Sequence, residues 1–169
     1  RAGLIPLART IWVVDAGGRL LAASDESSPP ELAVFAPALK GLANRAAAVS
    51  RPFDDSLADQ KLVGLAVRAP VAGGASWVIA GIPANALLGA FASTAPGVDA
   101  RMSVVRDDGV RLAGAIAASS RLNEASRAER LALARDSVSR RTLNGKDRLV
   151  ALQSLPQYKL KVVLTRDLD

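Results

Sequence analysis

The chain contains no cysteine and no histidine, and aromatic residues make up only 4% of it. Without these two residue types there are no disulfides, no thiolate nucleophile and no imidazole base, and the usual zinc and haem ligands are missing. Half of the residues are hydrophobic, but much of this content is alanine. The sequence therefore predicts modest cores, no cofactor, and none of the commonest catalytic tools.

Two weaker chemical signals can be read in another way. A serine beside Lys40, Lys61 or Lys146 could form a nucleophile and base pair, but the serines fall in predicted loops. Asp15 and Asp107-Asp108-Gly109 place carboxylates next to glycine, as cation-binding loops do. An aspartate at a tight hairpin bonds its own backbone, which accounts for both. We expect a non-enzymatic chain that holds no metal.

Charge is absent from Ala69 to Val98, which is long enough to raise the question of a membrane span. Pro70, Pro83, Pro96 and Gly73-Gly74 interrupt this stretch, so a buried strand and a short helix explain it better. Elsewhere 22 Lys and Arg outnumber 16 Asp and Glu, a net charge of +6 that favours an anionic partner. The arginines are scattered and no aromatic ladder accompanies them, so we expect no nucleic-acid partner.

One pattern occurs twice. Ile11 to Ala22, an apolar strand, a glycine turn and a second strand, is echoed about ninety residues later by Met102 to Ala113. Leu62 to Leu65 is echoed in the same order by Leu149 to Leu152. Two echoes in matching order predict two copies of one module. The small, proline-containing segment Ser93 to Gly97 is the expected boundary, giving modules at residues 1–96 and 97–169.

Each module is predicted to be an antiparallel sheet with helices on one face, an α+β design. In the first, apolar residues spaced by three and four from Leu32 to Val49 predict a helix whose regular part begins near Pro37 or kinks there. The other predicted elements of this module are a hairpin of Leu62–Val71 and Ser76–Ile82 closed at Gly73-Gly74, and a short helix through Phe91 capped by Asn85. In the second module we expect a helix from about Asn123 to Ser139, a hairpin at Asn144-Gly145, and a turn at Pro156-Gln157 before a strand from Lys159 to Thr165.

These patterns resemble a known family. The runs Trp12–Ser24, Arg51-Pro52-Phe53, Leu65–Pro70 and Trp77–Ile82 look like a Cache domain, the PAS-like extracytoplasmic sensor module. Leu149–Leu164 is similar to the end of the membrane-proximal half of double Cache sensors. The resemblance implies the periplasmic or extracellular portion of an inner-membrane receptor. Such regions precede diguanylate cyclases, phosphodiesterases and histidine kinases.

Two departures from the family are visible. Double Cache sensors open with a long helix that rises from the first transmembrane segment, and here only Arg1 to Arg9 precede the first strand, so that helix is trimmed or missing. The amino-acid-binding version carries an arginine followed closely by Trp-Tyr, which does not occur here. An amino-acid ligand is therefore not implied.

The resemblance also suggests where a ligand binds. Arg51, Lys61 and Arg68 cluster around the loop and strand that line the pocket in Cache modules, where they could hold a small anion such as a carboxylate. Trp77 is the expected aromatic wall, with Phe53 nearby. The alternative is that the cations are plain surface residues and that both aromatics are core packing.

The function expected from these observations is small-molecule sensing. The distal module (residues 1–96) would bind the ligand, and the smaller proximal module (residues 97–169), with its charged helix, would transmit the change rather than bind. Transmembrane helices and a homodimer are expected in the full-length protein. The rival interpretation is a protein-interaction or dimerisation module with no small-molecule ligand.

Overall fold

Strands dominate the part of the chain that is described. The computed structural model describes residues 7–39, 42, 46–71, 74–92, 100–114, 137–143 and 145–168. Within these ranges the strands are β1 Thr10–Asp15, β2 Leu20–Ala23, β3 Ala47–Val49, β4 Phe53–Asp54, β5 Lys61–Val71, β6 Gly74–Pro83, β7 Ala100–Arg106, β8 Arg111–Gly114, β9 Ser137–Leu143, β10 Lys146–Leu155 and β11 Leu160–Asp167. The helices described in the same ranges are α1 Ala84–Ala92 and the 3-10 helices Leu32–Phe35 and Pro156–Tyr158.

The chain divides into two compact units, Arg1–Leu87 and Leu88–Asp169, each with one sheet of antiparallel strands. The first sheet has the order β2-β1-β6-β5-β3, with β4 also paired to β5. The second has the order β8-β7-β11-β10-β9. The predicted predominance of antiparallel sheet is confirmed, whereas helix is sparser than expected in the described residues. The module boundary at residue 96 stays a prediction. None of the described helices is long and apolar enough to cross a membrane.

The hairpin predicted twice from sequence has the same local structure in both places. Each pairing contains one register shift, at Val13–Val14 in the first hairpin and at Val104–Val105 in the second. Each turn contains a glycine at positive φ, Gly18 at 89° and Gly109 at 86°, a region that favours glycine because it has no Cβ. The alternation of apolar residues and the glycine position were therefore sufficient to predict both hairpins.

The long helix predicted from Leu32 to Val49 is wrong. Among the described residues of this segment, helical structure is confined to the 3-10 turn Leu32–Phe35, and Ala47–Val49 forms β3, which pairs with β5. Pro37 has no N–H to donate and its ring blocks the preceding turn, so a regular helix cannot pass through it. The apolar residues of this segment, Leu32, Val34, Phe35, Ala38, Leu39 and Leu42, still pack against the core of the first sheet. Burial against a sheet, not a helical face, explains their spacing.

The other predicted elements are mostly found, with shifted ends. The β5–β6 hairpin is confirmed, with Val71 opposite Gly74, so Gly74 belongs to β6 and not to the predicted turn. Ala72 and Gly73 lie outside the described residues. The short helix begins at Ala84, so Asn85 lies inside its first turn and does not precede it. In the second unit, Leu143 pairs with Lys146 around the predicted tight turn.

Two predicted elements of the second unit differ in their bounds from the structure. The helix predicted over residues 123–139 falls mainly outside the described residues, and its last three positions belong to β9. The final strand begins at Leu160, because Lys159 adopts a left-handed conformation with φ 54° after the 3-10 turn.

Two aromatic rings lie directly on glycines of the first sheet. A Cβ added to Gly64 would lie 2.7 Å from Cζ of the fully buried Phe35, and one added to Gly81 would lie 2.8 Å from Cη2 of Trp12. Neither distance is compatible with a side chain at the glycine. The rings therefore fill one end of this face of the sheet.

We predict that Gly64→Ala lowers the free energy of unfolding by about 1–3 kcal/mol, because the new methyl group overpacks a core that cannot open toward solvent. Urea unfolding of the whole chain measures the change. Gly89→Ala in α1 is the matched control, since nothing lies within 4 Å of its added Cβ. That control should be neutral or stabilising by up to about 1 kcal/mol, because alanine is the better helix former. Equal losses in both variants would contradict the packing argument.

Candidate functional site

One face of the first sheet carries the core of the first unit, and we call it the distal core face. Its buried residues include Trp12 and Val14 on β1, Ile79 on β6, Ala66 on β5 and Ala48 on β3. These residues share a face because cross-strand partners such as Trp12 and Ile79 lie opposite each other and every second residue repeats the orientation. Whatever binds between this sheet and the segment packed against it must contact this face.

At one end of the distal core face lies a row of cross-strand neighbours that is only partly covered. Leu20 of β2 pairs with Val14 of β1, Val14 with Trp77 of β6, and Trp77 with Arg68 of β5. Val14 is fully buried and Trp77 half-buried, while Leu20 and Arg68 are exposed. The row thus combines aliphatic, aromatic and cationic groups at an accessible edge, and we call it the open row.

Arg68 and Trp77 are the two predicted site residues that the structure brings together. They lie directly opposite each other on β5 and β6, where cross-strand Cβ atoms are about 4.5–5.5 Å apart. Trp77 also packs against the core cluster, so its ring is held from beneath. Within the described residues, the Arg68 guanidinium forms no ion pair. This arrangement can offer two parallel N–H donors to a carboxylate beside an aromatic surface.

Arg51 and Phe53 lie apart from this pair. The Arg51 guanidinium is exposed and donates from Nη2 to the carbonyl of Ala33 at 3.5 Å, so it closes the 3-10 turn. Phe53 pairs with Leu62 at the opposite end of β5 and packs on Trp12, with ring centroids 6.1 Å apart and planes tilted by 53°. Phe53 therefore contributes to the filled end of the distal core face.

Lys61 does not converge with Arg68. The two residues are seven positions apart on β5, which is roughly 23 Å along a strand, and the odd spacing places them on opposite faces. The Lys61 ammonium forms an exposed ion pair with Asp54. Closeness in the sequence suggested a cluster of three cations. The geometry of the strand separates Lys61 from Arg68 in space.

A polar cluster that sequence reasoning missed anchors the segment after β2. Thr10 Oγ1 donates to Asp25 Oδ1 at 2.8 Å, and the backbone N–H of Ser27 donates to the same oxygen at 3.0 Å. The Ser27 hydroxyl also donates to Asp25, and the Ser27 carbonyl accepts from Trp12 Nε1 at 3.0 Å. The hydrogen bonds from Ser27 and Thr10 lower the pKa of Asp25. This cluster holds the Trp12 ring in place.

A second missed contact closes the loop between β4 and β5. The Asp55 carboxylate is buried and forms an ion pair with Arg9, and it accepts from Gln60 Nε2 and the Leu57 backbone N–H, each at 2.9 Å. Burial raises the pKa of Asp55, but the hydrogen bonds from Leu57, Gln60 and Arg9 outweigh it, so the pKa is lowered. Three donors from this segment and from Arg9 converge on the buried carboxylate, so its role is to hold the loop.

We predict that Asp55→Asn lowers the free energy of unfolding near pH 7 by about 1–3 kcal/mol, because it removes charge-assisted hydrogen bonds. A carboxylate with a depressed pKa stabilises the fold fully above its unfolded pKa and loses that contribution as pH falls through the folded pKa. Wild-type stability should therefore drop as the pH falls below the ordinary aspartate value of 3.8, and the variant should show a shallower drop.

Urea unfolding across this pH range measures both effects. Asp54→Asn is the control, since its carboxylate is exposed and pairs only with exposed Lys61 among the described residues. A control that loses as much stability as Asp55→Asn would contradict the assigned role.

No metal site is evident in the described ranges, where no three His, Cys, Asp or Glu residues come together. In the polar cluster, the hydroxyls of Ser24 and Ser27 both share a hydrogen bond with Thr10 Oγ1, and the Ser27 hydroxyl also donates to the Asp25 carboxylate. The first unit can offer a binding surface at the open row.

The fold matches solved ligand-binding domains along nearly the whole chain. A ligand-binding domain of the Pseudomonas fluorescens chemoreceptor CtaA, in complex with L-alanine, has a TM-score of 0.61 at 19% identity, over 100% of this chain and 76% of that one. The ligand-binding domain of the Pseudomonas aeruginosa amino-acid chemoreceptor PctB, in complex with L-Arg, has a TM-score of 0.62 at 14% identity, over 99% and 75%. The extracellular domain of a protein described as a histidine kinase, rpHK1S-Z16, has a TM-score of 0.69 at 18% identity, over 94% and 70%.

No family model and no curated protein sequence matches the chain. The chain nevertheless has the fold of Cache-type sensor domains, as the resemblance predicted. The matched structures are ligand-binding and extracellular domains, not catalytic ones.

Proposed function

We propose that this chain is the extracytoplasmic sensor region of a bacterial transmembrane signalling receptor, located in the periplasm. The observation that carries this proposal is the match of 94–100% of the chain to ligand-binding domains of chemoreceptors and to a kinase extracellular domain. The region itself is not an enzyme. A cytoplasmic output domain, such as a cyclase, phosphodiesterase or kinase, would receive the signal.

The first unit binds the ligand at the open row. Rings of Trp12 and Phe35 occupy the other end of the distal core face, so the accessible groups are those around Trp77 and Arg68. A ligand that binds one arrangement of this unit better than another shifts an existing equilibrium by its difference in affinity. The second unit then passes the change toward the membrane.

The ligand of this site is a small carboxylate with an apolar part. The Arg68 guanidinium supplies paired donors for the carboxylate, while half-buried Trp77 and exposed Leu20 supply apolar contact in the same row. No acidic side chain stands in this row to pair with an α-amino group. The matched CtaA and PctB domains hold amino acids, but this row does not require one.

We predict that short-chain carboxylates raise the melting temperature of the isolated chain, since a ligand at a hundred times its Kd adds about 2.7 kcal/mol of stability. Propionate and L-alanine form an informative pair, because they differ only in the α-amino group. Arg68→Gln should weaken the binding of an active carboxylate roughly tenfold or more, the effect of losing a hydrogen bond to a charged group.

Arg51→Gln tests the other predicted arginine, and Arg19→Gln, an exposed residue in the β1–β2 turn region, is the charge-matched control. Full affinity in Arg68→Gln would remove the open row from consideration. Loss of affinity in Arg51→Gln alone would move the site to the 3-10 turn.

A specific observation also favours the second candidate function, dimerisation. All residues of β2 are exposed, and this edge strand carries Leu20 and Leu21, with Leu21 exposed to 51%. An exposed edge strand with apolar side chains can pair with another strand. A second copy of this chain is the simplest partner in a receptor that functions as a homodimer.

We predict that Leu21→Lys abolishes any self-association seen by light scattering coupled to size exclusion, because charge on an edge strand opposes strand pairing. Leu57→Lys is the control, since Leu57 is equally exposed, at 50%, but lies in the loop before β5. A wild-type chain that stays monomeric at high concentration would eliminate this candidate.

A further inference from the structure

The second sheet also has one face that carries a core, and we call it the proximal core face. Its buried cluster consists of Val105 on β7, Val163 on β11, and Val150 and Leu152 on β10. Side chains two positions away along each strand point to the same side. The same face therefore continues, beyond this cluster, toward the end of the sheet where β9 meets β10.

Two arginines lie directly opposite each other at that end. Arg141 of β9 pairs with Arg148 of β10 in an unbroken register that also pairs Ser139 with Val150. Residues opposite each other in an antiparallel pair have Cβ atoms about 4.5–5.5 Å apart, and like charges at such positions are destabilising. Both arginines are at least partly buried, so water screens this repulsion less than on an open surface.

One carboxylate cannot balance this pair. Asp167 of β11 lies next to Arg148, with Oδ1 2.8 Å from Nε, and also lies 4.0 Å from the Lys146 ammonium. The Arg148 Nε is nevertheless buried and, within the part of the chain that is described, donates no hydrogen bond. The contact with Asp167 is thus an ion pair with poor hydrogen-bond geometry. A buried donor without an acceptor costs free energy.

The positive charge of Arg141 is balanced even less than that of Arg148. Its Nε donates to Ser139 Oγ at 3.1 Å, and no acidic side chain among the described residues pairs with it. The side chain of Arg148 is only 14% exposed, so the pair cannot simply extend into water.

The neighbouring row adds polar groups on the same face. Ser139 lies opposite Val150, Val150 opposite Thr165, and Thr165 opposite Arg101. Thr165 Oγ1 donates to the Arg101 carbonyl at 3.5 Å, a long contact that a better acceptor can replace. The row next to the arginine pair therefore contains two hydroxyls, on β9 and β11, and a third guanidinium, on β7.

We infer that this end of the proximal core face binds a small oxyanion, a phosphate or a carboxylate, between Arg141 and Arg148. The anion would accept hydrogen bonds from both guanidinium groups and separate two like charges that otherwise face each other. Arginine suits this role because its planar fork matches the oxygens of phosphate and carboxylate. The inference adds a ligand to a unit for which the sequence predicted transmission alone. It concerns the second unit only and does not depend on the open row.

The test is an NMR titration of the isolated chain with inorganic phosphate at constant ionic strength, adjusted with sodium chloride. Saturable shifts are expected at the amides of Ser139, Arg141, Arg148 and Thr165. Arg141→Gln and Arg148→Gln should each weaken phosphate binding roughly tenfold or more, since each removes hydrogen bonds between charged groups. Arg141→Lys keeps the charge but loses the fork, and it should weaken binding as well.

Arg166→Gln is the matched control. Arg166 is exposed and pairs with Leu149 on the opposite face of the same sheet, so its removal changes the net charge equally but leaves the site intact. Its phosphate affinity should equal that of the wild-type chain. Equal weakening in all the arginine variants would show general charge attraction and overturn the inference, as would the absence of saturable shifts in the wild-type titration.

Two further arms identify the source of the oxyanion. Malonate in place of phosphate distinguishes a carboxylate from a phosphate ligand, and a saturable shift with either one supports the site. Vesicles of phosphatidylcholine with and without phosphatidylglycerol test a lipid headgroup. Binding only to the anionic vesicles, with no response to free phosphate or malonate, would reject a pocket for a small oxyanion.

Discussion

The contact of two aromatic rings with two glycines determines how the first unit can be used. Trp12 lies on Gly81 and Phe35 on Gly64, at distances that exclude any side chain at the glycines. The polar cluster around Asp25 fixes one ring through the bond from Trp12 Nε1, and the 3-10 turn delivers the other. Because these rings occupy one end of the distal core face, a ligand can reach this face only at the other end. The position of the open row is a consequence of this packing.

Local chemistry made much of the fold predictable. Both glycine hairpins and the turn after Leu143 follow from the alternation of apolar residues and from glycines at positive φ, and alternation also predicted the pairing of β5 with β6. The segment from Leu32 to Val49 was not predictable in the same way. Its apolar spacing fits a helix, but its burial is provided by a sheet that is distant in sequence, and β3 forms only because β5 has a free edge.

The candidate site was predictable in part. The two strands of the predicted β5–β6 hairpin pair in the register that places Arg68 opposite Trp77. Lys61 and Arg68 are an odd number of residues apart on one strand, so the sequence alone places them on opposite faces. The polar contacts could not be foreseen. Thr10 and Asp25 are 15 residues apart and Arg9 and Asp55 are 46 apart, and nothing local in either segment requires the pairing.

The register also corrects the second sequence echo by one residue. The hairpin shifts make Val14 equivalent to Val105, and pairing across the sheets then makes Arg68 equivalent to Ser154. Leu62 consequently corresponds to Arg148, not to Leu149. The difference matters because a shift of one residue reverses the face of every side chain. Leu62 is fully buried, whereas Leu149 is 38% exposed.

This equivalence shows how two copies of one sheet order can present different surfaces. At the end of the face where the first unit has Trp12 and Gly81, the second has Ser103 and Thr165, and neither of these two strand positions supplies a ring. The charge follows the same division: the first unit has eight basic and seven acidic residues, and the second has fourteen and nine. A filled aromatic end in one copy corresponds to a polar, arginine-rich end in the other. Aromatic packing therefore fills this end of the face in the first unit. In the second unit the equivalent end carries arginines that can bind an anion.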